Sequence, residues 1–287
     1  MKSGIPHLGI MVALLMLAVL AHPARAHEAT PSAADYPSFT VTNTASGVDL
    51  PDSVPGGLVR VTVQNETVES SHIFFYRVPD AISDEQLQRD LANPDAAPAW
   101  FEQSFVDHTA DVPGTPDHAP PGATARGVID LEPGRYLVVD PLFDVRRERL
   151  FTVTAPAAAT SAPSPEPDIE VTMAEMSFTG LEQPLAAGEH VWQITNAGKA
   201  LHEVAIVPMP AGAPAEEVLA GIEALFTGQP AEIEFAPVAG QGLTAPGRTS
   251  WQFIDLAPGT YAAVCMFPDE NFVPHAFNGM VQIFTVV

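Results

Sequence analysis

A lone cysteine, followed at loop spacing by a histidine and a methionine, offers the clearest chemistry in this chain. Cys265 is the only cysteine among 287 residues, and it begins the pattern Cys265-x9-His275-x4-Met280, downstream of His202. One thiolate, two imidazoles and one thioether are the donors of a trigonal His2Cys copper site with a weak axial methionine. A free cysteine can also be simply a small buried hydrophobe. The four residues together favour a metal site that binds copper.

The first 26 residues predict export. Lys2 supplies a positive charge, residues 8–21 form an apolar run, and Ala24-Arg25-Ala26 is an A-x-A cleavage site. We therefore expect a signal peptide over residues 1–26 and a periplasmic or secreted mature protein. The apolar run is shorter than a typical membrane span, and no later segment qualifies, so no span is expected after signal removal.

The charge of the chain restricts its partners. The formal net charge is −23, and Lys199 is the only lysine after the signal segment. Such a surface repels nucleic acids and anionic membranes, so nucleic acid is not an expected partner. A redox protein partner that is steered by charge should present a basic docking patch. The alternative is that the acidic surface serves only solubility.

Composition and an internal repeat predict two domains. The 29 prolines and 20 glycines divide the chain into short elements, as in all-β proteins. The Pro/Ala/Ser-rich segment 155–167 is typical of a linker. On its two sides, IDLEPGRY at 129–136 recurs as IDLAPGTY at 254–261. We expect related domains over residues 35–154 and 168–287, as two separate sandwiches that do not share a sheet.

Each half is predicted to be a β-sandwich with one helical insertion. Alternating segments such as 191–195 indicate strands that have one buried face. Residues 215–226, AEEVLAGIEALF, have apolar residues at helical spacing, and residues 83–91 are the candidate counterpart. The expected fold class is therefore all-β, with two tandem Greek-key sandwiches.

The second half resembles the cupredoxins, the blue-copper family of plastocyanin and azurin. The resemblance is carried by Asn196-Ala197-Gly198-x3-His202-Glu203, by Pro258-Gly259-Thr260-Tyr261-x3-Cys265, and by His275 and Gly279-Met280. It implies electron transfer through one type 1 copper, with His202, Cys265 and His275 as equatorial ligands and Met280 as the axial ligand. One departure is the length of the ligand loop, because nine residues, MFPDENFVP, separate Cys265 from His275. This insert must fold back to bring His275 to the site.

The first half is expected to be a degenerate copy without copper. Asp140 stands where the second half has Cys265, and His72 alone matches His202. We expect His72 to be a core or rim residue. His108 and His118, in a Pro/Gly/Asp-rich loop, are expected to be solvated. A labile surface metal site formed by these two histidines with Asp107 and Asp111 is the alternative.

Three functional classes remain open on the sequence. The favoured class is an exported copper protein that transfers electrons, with copper storage or delivery as a variant. A metal-free binding or structural module is the second class. The third is a multicopper enzyme, because two-domain cupredoxins resemble nitrite reductases and small laccases. Those enzymes need His-x-His pairs and a histidine beside the cysteine, but Cys265 lies between Val264 and Met266. We therefore expect no enzymatic activity.

Overall fold

A computed structural model of the chain describes residues 36–92, 97–140, 147–156 and 162–287. The signal peptide expected over residues 1–26 and the centre of the expected linker lie outside these residues. Within the described ranges, no helix combines the length and apolarity needed to cross a membrane.

Seventeen strands and three α-helices follow one another along the described chain. The strands of the first half are β1 (Ser38–Thr44), β2 (Gly47–Asp49), β3 (Ser53–Pro55), β4 (Gly57–Asn65), β5 (Phe74–Arg77), β6 (Pro116–Asp117), β7 (Thr124–Leu131), β8 (Gly134–Asp140) and β9 (Arg147–Thr154). Those of the second half are β10 (Ile169–Ala174), β11 (Ser177–Thr179), β12 (Gly188–Asn196), β13 (His202–Met209), β14 (Ala239–Thr244), β15 (Thr249–Leu256), β16 (Gly259–Val264) and β17 (Val281–Val286). The helices are α1 (Asp84–Leu91), α2 (Ala99–Val106) and α3 (Ala215–Thr227).

The two halves have the same strand order. In one sheet, β2-β1-β4-β7 of the first half match β11-β10-β12-β15 of the second; in the other sheet, β9-β8-β5 match β17-β16-β13, while β3 lies only at the edge of the first half. The pair β1–β4 is parallel, and so is its counterpart β10–β12. This correspondence confirms the expected all-β fold with two tandem sandwiches.

Two side-chain hydrogen-bond sets recur in both halves. The carboxamides of Asn65 and Asn196 each donate to the carbonyl four residues later, at 2.7 and 2.9 Å, and each accepts from the amide two residues later. The hydroxyls of Tyr136 and Tyr261 donate to the carbonyl four residues earlier, at 3.0 and 2.9 Å. The halves are therefore copies of one unit in their turn chemistry as well as in their strand order.

The expectation that the halves would not share a sheet is wrong. Strands β7 and β15 pair antiparallel, which joins the two halves in one eight-stranded sheet. At the junction Gly127 lies opposite Gln252, and these positions correspond in the repeat, so the pairing has pseudo-twofold symmetry. Strand β6 pairs with β14 by the same symmetry. Without these pairings each half would expose an unpaired edge strand, which proteins commonly protect. The residue bounds proposed for the two domains stay a prediction.

The helices lie in the strand connections. The predicted helix at 215–226 is α3, which ends at Gly228 in the left-handed conformation, and the candidate at 83–91 is α1 with Ser83 as its N-cap. The sequence did not predict α2. Its Phe101 and Phe105 pack on Tyr76 with ring-centroid distances of 4.8 and 5.7 Å. This aromatic layer packs on Tyr76 of β5 and also contacts Phe267 of the second half.

Replacing Gly127 by alanine should weaken the junction between the halves. A Cβ atom there would lie 2.8 Å from the Trp251 carbonyl oxygen and would also overlap the Gln252 side chain. Overpacking of this kind costs about 1–3 kcal/mol. We expect Gly127→Ala to lower the free energy of unfolding by that amount in urea denaturation. Thr124→Ser, at an exposed position of the same strand, should change it by less than about 0.5 kcal/mol. Equal stability of the two variants would contradict a tightly packed junction.

Candidate metal centre

The four predicted ligands lie at one end of the second sandwich. His202 begins β13, Cys265 follows β16, His275 begins a 3-10 helix that ends at Asn278, and Met280 precedes β17. His275 is 1% exposed and the other three are fully buried. The strand ends and one loop therefore bring all four residues into the protein interior.

Three donor atoms converge within hydrogen-bonding range of one another. The Cys265 Sγ atom lies 3.5 Å from His275 Nδ1 and 3.9 Å from His202 Nδ1, and the two Nδ1 atoms are 3.2 Å apart. A point equidistant from these three atoms lies about 2.1 Å from each, which is the length of a bond from nitrogen to a transition metal. The spacing and the donor chemistry fit a His2Cys metal ion.

Met280 is tied to the same loop through its backbone. Its amide donates to the His275 carbonyl at 3.0 Å, and its carbonyl accepts from the Cys265 amide at 3.2 Å. Its side chain packs in the same core cluster as Cys265. The residue is thus held beside both loop ligands.

The long insert folds back, as the sequence required. Pro268 and Pro274 form a β-bridge at its base, and the His275 amide donates to the Phe267 carbonyl at 2.9 Å. The Asp269 carboxylate accepts from two backbone amides and one side-chain amide within the loop, and these bonds lower its pKa. Phe272 projects from the tip with 84% exposure. The insert therefore bulges outward while its closed base returns His275 to the site.

Burial leaves the three donor groups uncharged at neutral pH. Burial, together with the nearby His275, lowers the pKa of His202 to about 4. Burial also lowers the pKa of His275 and raises that of the Cys265 thiol. At neutral pH both imidazoles are neutral and keep a lone pair for a metal. The thiol must lose its proton when it binds a metal.

The turn before His202 is fixed by Asn196. Its Nδ2 donates to the Ala200 and Thr244 carbonyls at 2.9 and 2.8 Å, and its Oδ1 accepts from the Gly198 amide at 2.9 Å. The side chain is fully buried. Because His202 follows this turn directly, the Asn196 bonds set where its ring enters the site.

In the first half, Asp140 occupies the position of Cys265. It is buried and accepts a hydrogen bond from Asn43 Nδ2 at 2.9 Å. A carboxylate therefore stands where the second half has sulfur. The absence of copper from this half stays a prediction.

The expectation that His118 is solvated is wrong. His118 is 4% exposed, and its ring centroid lies 5.2 Å from that of His72. The structure places the carboxylate of Glu203 beside these rings, so that one ligand atom from each residue lies within 4.8 Å of the others. The sequence did not predict this group, because its members come from two loops of the first half and a strand of the second. The carboxylate of Asp111, from the alternative surface site, instead pairs with Arg248 at 2.7 Å.

Comparison with known proteins finds structural similarity only. No protein-family model matches the sequence, and no curated protein matches it. The reduced auracyanin of Roseiflexus castenholzii is 23% identical, with 42% of this chain and 95% of that chain covered and a TM-score of 0.31. The copper nitrite reductase of Nitrosomonas europaea is 13% identical, with coverage of 87% and 93% and a TM-score of 0.24. A multicopper oxidase is 14% identical, with coverage of 87% and 88% and a TM-score of 0.25.

The expectation that the chain is not an enzyme is corrected by this comparison. Solved structures that match 87% of the chain include copper nitrite reductases and multicopper oxidases, and these proteins are enzymes. We withdraw the expectation. The described chain folds as two related β-sandwiches.

Replacing Asn196 by alanine should loosen the ligand turn. The change removes three hydrogen bonds and leaves buried carbonyls without a donor, so we expect a loss of about 2–3 kcal/mol in the free energy of unfolding. It should also weaken the binding of Cu(II), because His202 is no longer held in place. Asn65→Ala removes the corresponding bonds of the first half and is the matched control. It should cost similar stability and leave the affinity of the His202–Cys265–His275 site unchanged. Equal affinity losses in the two variants, measured by competition with a chelator, would contradict a local role for Asn196.

Proposed function

We propose that this protein is an exported electron-transfer protein with one type 1 copper ion. His202, Cys265 and His275 would be the equatorial ligands, and Met280 would be the axial ligand. The observation that carries the proposal is the convergence of one Sγ and two Nδ1 atoms, 3.2–3.9 Å apart, in a buried pocket. Soft sulfur combined with imidazole nitrogen is the donor set that copper favours in such sites. Copper bound there accepts and returns one electron.

The protein around the pocket is built to keep the ligands fixed. The Cys265 amide donates to Met280 and the Cys265 carbonyl accepts from Ala276, so both sides of the loop are tied to the cysteine. The Met266 amide donates to Glu203, which anchors the loop to the strand that carries His202. A ligand set that cannot rearrange suits electron transfer, because little has to move when the charge changes. Copper storage or delivery is less well supported, since delivery needs ligands that a partner can reach and all four are buried.

The surface beside the ligand loop suits a protein partner. Phe272 and Phe277 flank His275 in sequence and are 84% and 39% exposed. Exposed aromatic side chains are common in protein–protein contacts. The formal charge of −23 favours a redox partner with a basic docking patch, in the periplasm or outside the cell.

The visible spectrum tests the copper site directly. Purified protein with one equivalent of Cu(II) should show an intense thiolate-to-copper band in the red region. Cys265→Ser should abolish the band completely, because a hydroxyl cannot replace the sulfur donor. His190→Gln, at a half-buried position paired with Asp168, is the control and should keep the full band. Absence of the band from the wild-type protein would refute the proposal in favour of a metal-free module.

The potential of the site tests the role of Met280. Met280→Leu should keep the red band, because the three equatorial ligands remain. Its reduction potential should rise, since loss of a weak sulfur donor disfavours Cu(II) more than Cu(I). A redox titration that is followed by the absorbance of the red band gives the reduction potential. An unchanged potential would show that the thioether does not act on the metal.

A further inference from the structure

A second group of metal-ligating side chains lies between the two halves. It consists of His72, just before β5, His118, just after β6, and Glu203, in β13. One ligand atom from each residue lies within 4.8 Å of the other two. None of these residues belongs to the centre formed by His202, Cys265, His275 and Met280.

The atoms that face this group lack ordinary partners. Glu203 is 1% exposed, and its Oε2 has no hydrogen-bond partner among the described residues; its Oε1 accepts from the Met266 amide at 3.0 Å. The Nε2 atom of His118 is buried and likewise has no described partner. Buried polar atoms without partners are rare and point to an ion, a water or a ligand. Two such atoms belong to this one group of three ligating side chains.

The His72 ring is oriented toward this space by a carboxylate behind it. His72 Nδ1 lies 3.4 Å from Asp117 Oδ2, while its Nε2 lies 3.8 Å from Glu203 Oε2. Asp117 is itself fixed, because its Oδ1 accepts from the Ser71 hydroxyl at 3.0 Å and from the Ile73 amide at 3.1 Å. In metal sites, the ring nitrogen of a histidine that does not bind the metal commonly donates a hydrogen bond to a carboxylate.

We propose that His72, His118 and Glu203 bind a divalent transition-metal ion through the two Nε2 atoms and Glu203 Oε2. Two imidazoles and one carboxylate suit Cu(II) or Zn(II), and without a thiolate ligand a copper ion here has no intense red band. Three protein ligands leave one position open for water or a small molecule. His72 and Glu203 also line a cavity of about 270 Å³ with Phe74, Phe105 and Phe267.

The competing account is an ion pair without metal. Burial lowers the pKa of His72, but the carboxylates of Glu203 and Asp117 outweigh it and raise the pKa to about 9. A protonated His72 would then balance these acids. This account leaves His118 Nε2 and Glu203 Oε2 without hydrogen-bond partners, whereas a metal ion uses both. The two accounts differ in the number of metal ions that the protein retains.

The test is a Cu(II) titration of the full chain, followed by metal analysis after desalting and by electron paramagnetic resonance. We expect two copper ions per wild-type chain, of which one gives the red band and the other gives a separate signal without it. His118→Gln and Glu203→Gln should each retain one copper ion fewer and lose the second signal. His118→Gln should keep the red band, because backbone bonds within the ligand loop itself hold Cys265, His275 and Met280 together. His190→Gln should retain as much copper as the wild type.

Each outcome of this experiment decides for or against the second site. Equal copper content in the wild type, His118→Gln and Glu203→Gln would overturn the proposal, and so would loss of the second signal in His190→Gln. The titration is repeated in Cys265→Ser, where the second signal should persist without the red band. A second signal without any red band in the wild type would refute the type 1 assignment alone. The red band in His118→Gln also shows that the variant is folded.

Discussion

The buried carboxylate of Glu203 lies between the two halves and beside both groups of candidate ligands. Placing an ionised carboxylate in a protein interior costs several kcal/mol unless hydrogen bonds or opposite charge offset it. The Met266 amide satisfies one oxygen, and His72 from the first half faces the other. A buried carboxylate of the second half therefore lies against a histidine of the first half. This contact and the shared sheet join the two halves directly, so they are not connected by the linker alone.

Duplication followed by divergence accounts for the two different sets of ligands. The strand order, the Asn65 and Asn196 turns and the paired tyrosine bonds are the same in both halves, so the scaffold does not depend on sulfur. The residue at the end of β8 or β16 differs in kind, as a buried aspartate in one half and a cysteine in the other. The first half kept His72, and in the structure this histidine turns to the interface, where a carboxylate of the other half meets it.

The grouping of the four candidate ligands could be predicted because they lie on a few short segments. Cys265, His275 and Met280 share one loop, and strand alternation places His202 in the interior, so spacing alone indicated a common site. It could not predict the pairing of β7 with β15, because an edge strand that pairs has the same alternation as one that faces solvent. His118 was misjudged because its Pro/Gly/Asp-rich loop is typical of a surface. That loop is buried only because the second half covers it.

The two ligand groups lie close enough for a charge at one to act on the other, because Glu203 contacts residues of both. Glu203 is bonded covalently to His202, and its carboxylate accepts from the residue that follows Cys265. With both proposed ions bound, a divalent ion at His72 would add positive charge beside the first centre. Because Cu(I) carries less positive charge than Cu(II), this added charge would favour the reduced ion and raise the reduction potential, and low-dielectric surroundings would strengthen the effect. By the same coupling, oxidation of the first centre would weaken binding of a cation at the second. The adjacent residues His202 and Glu203 are what would link the two proposed centres.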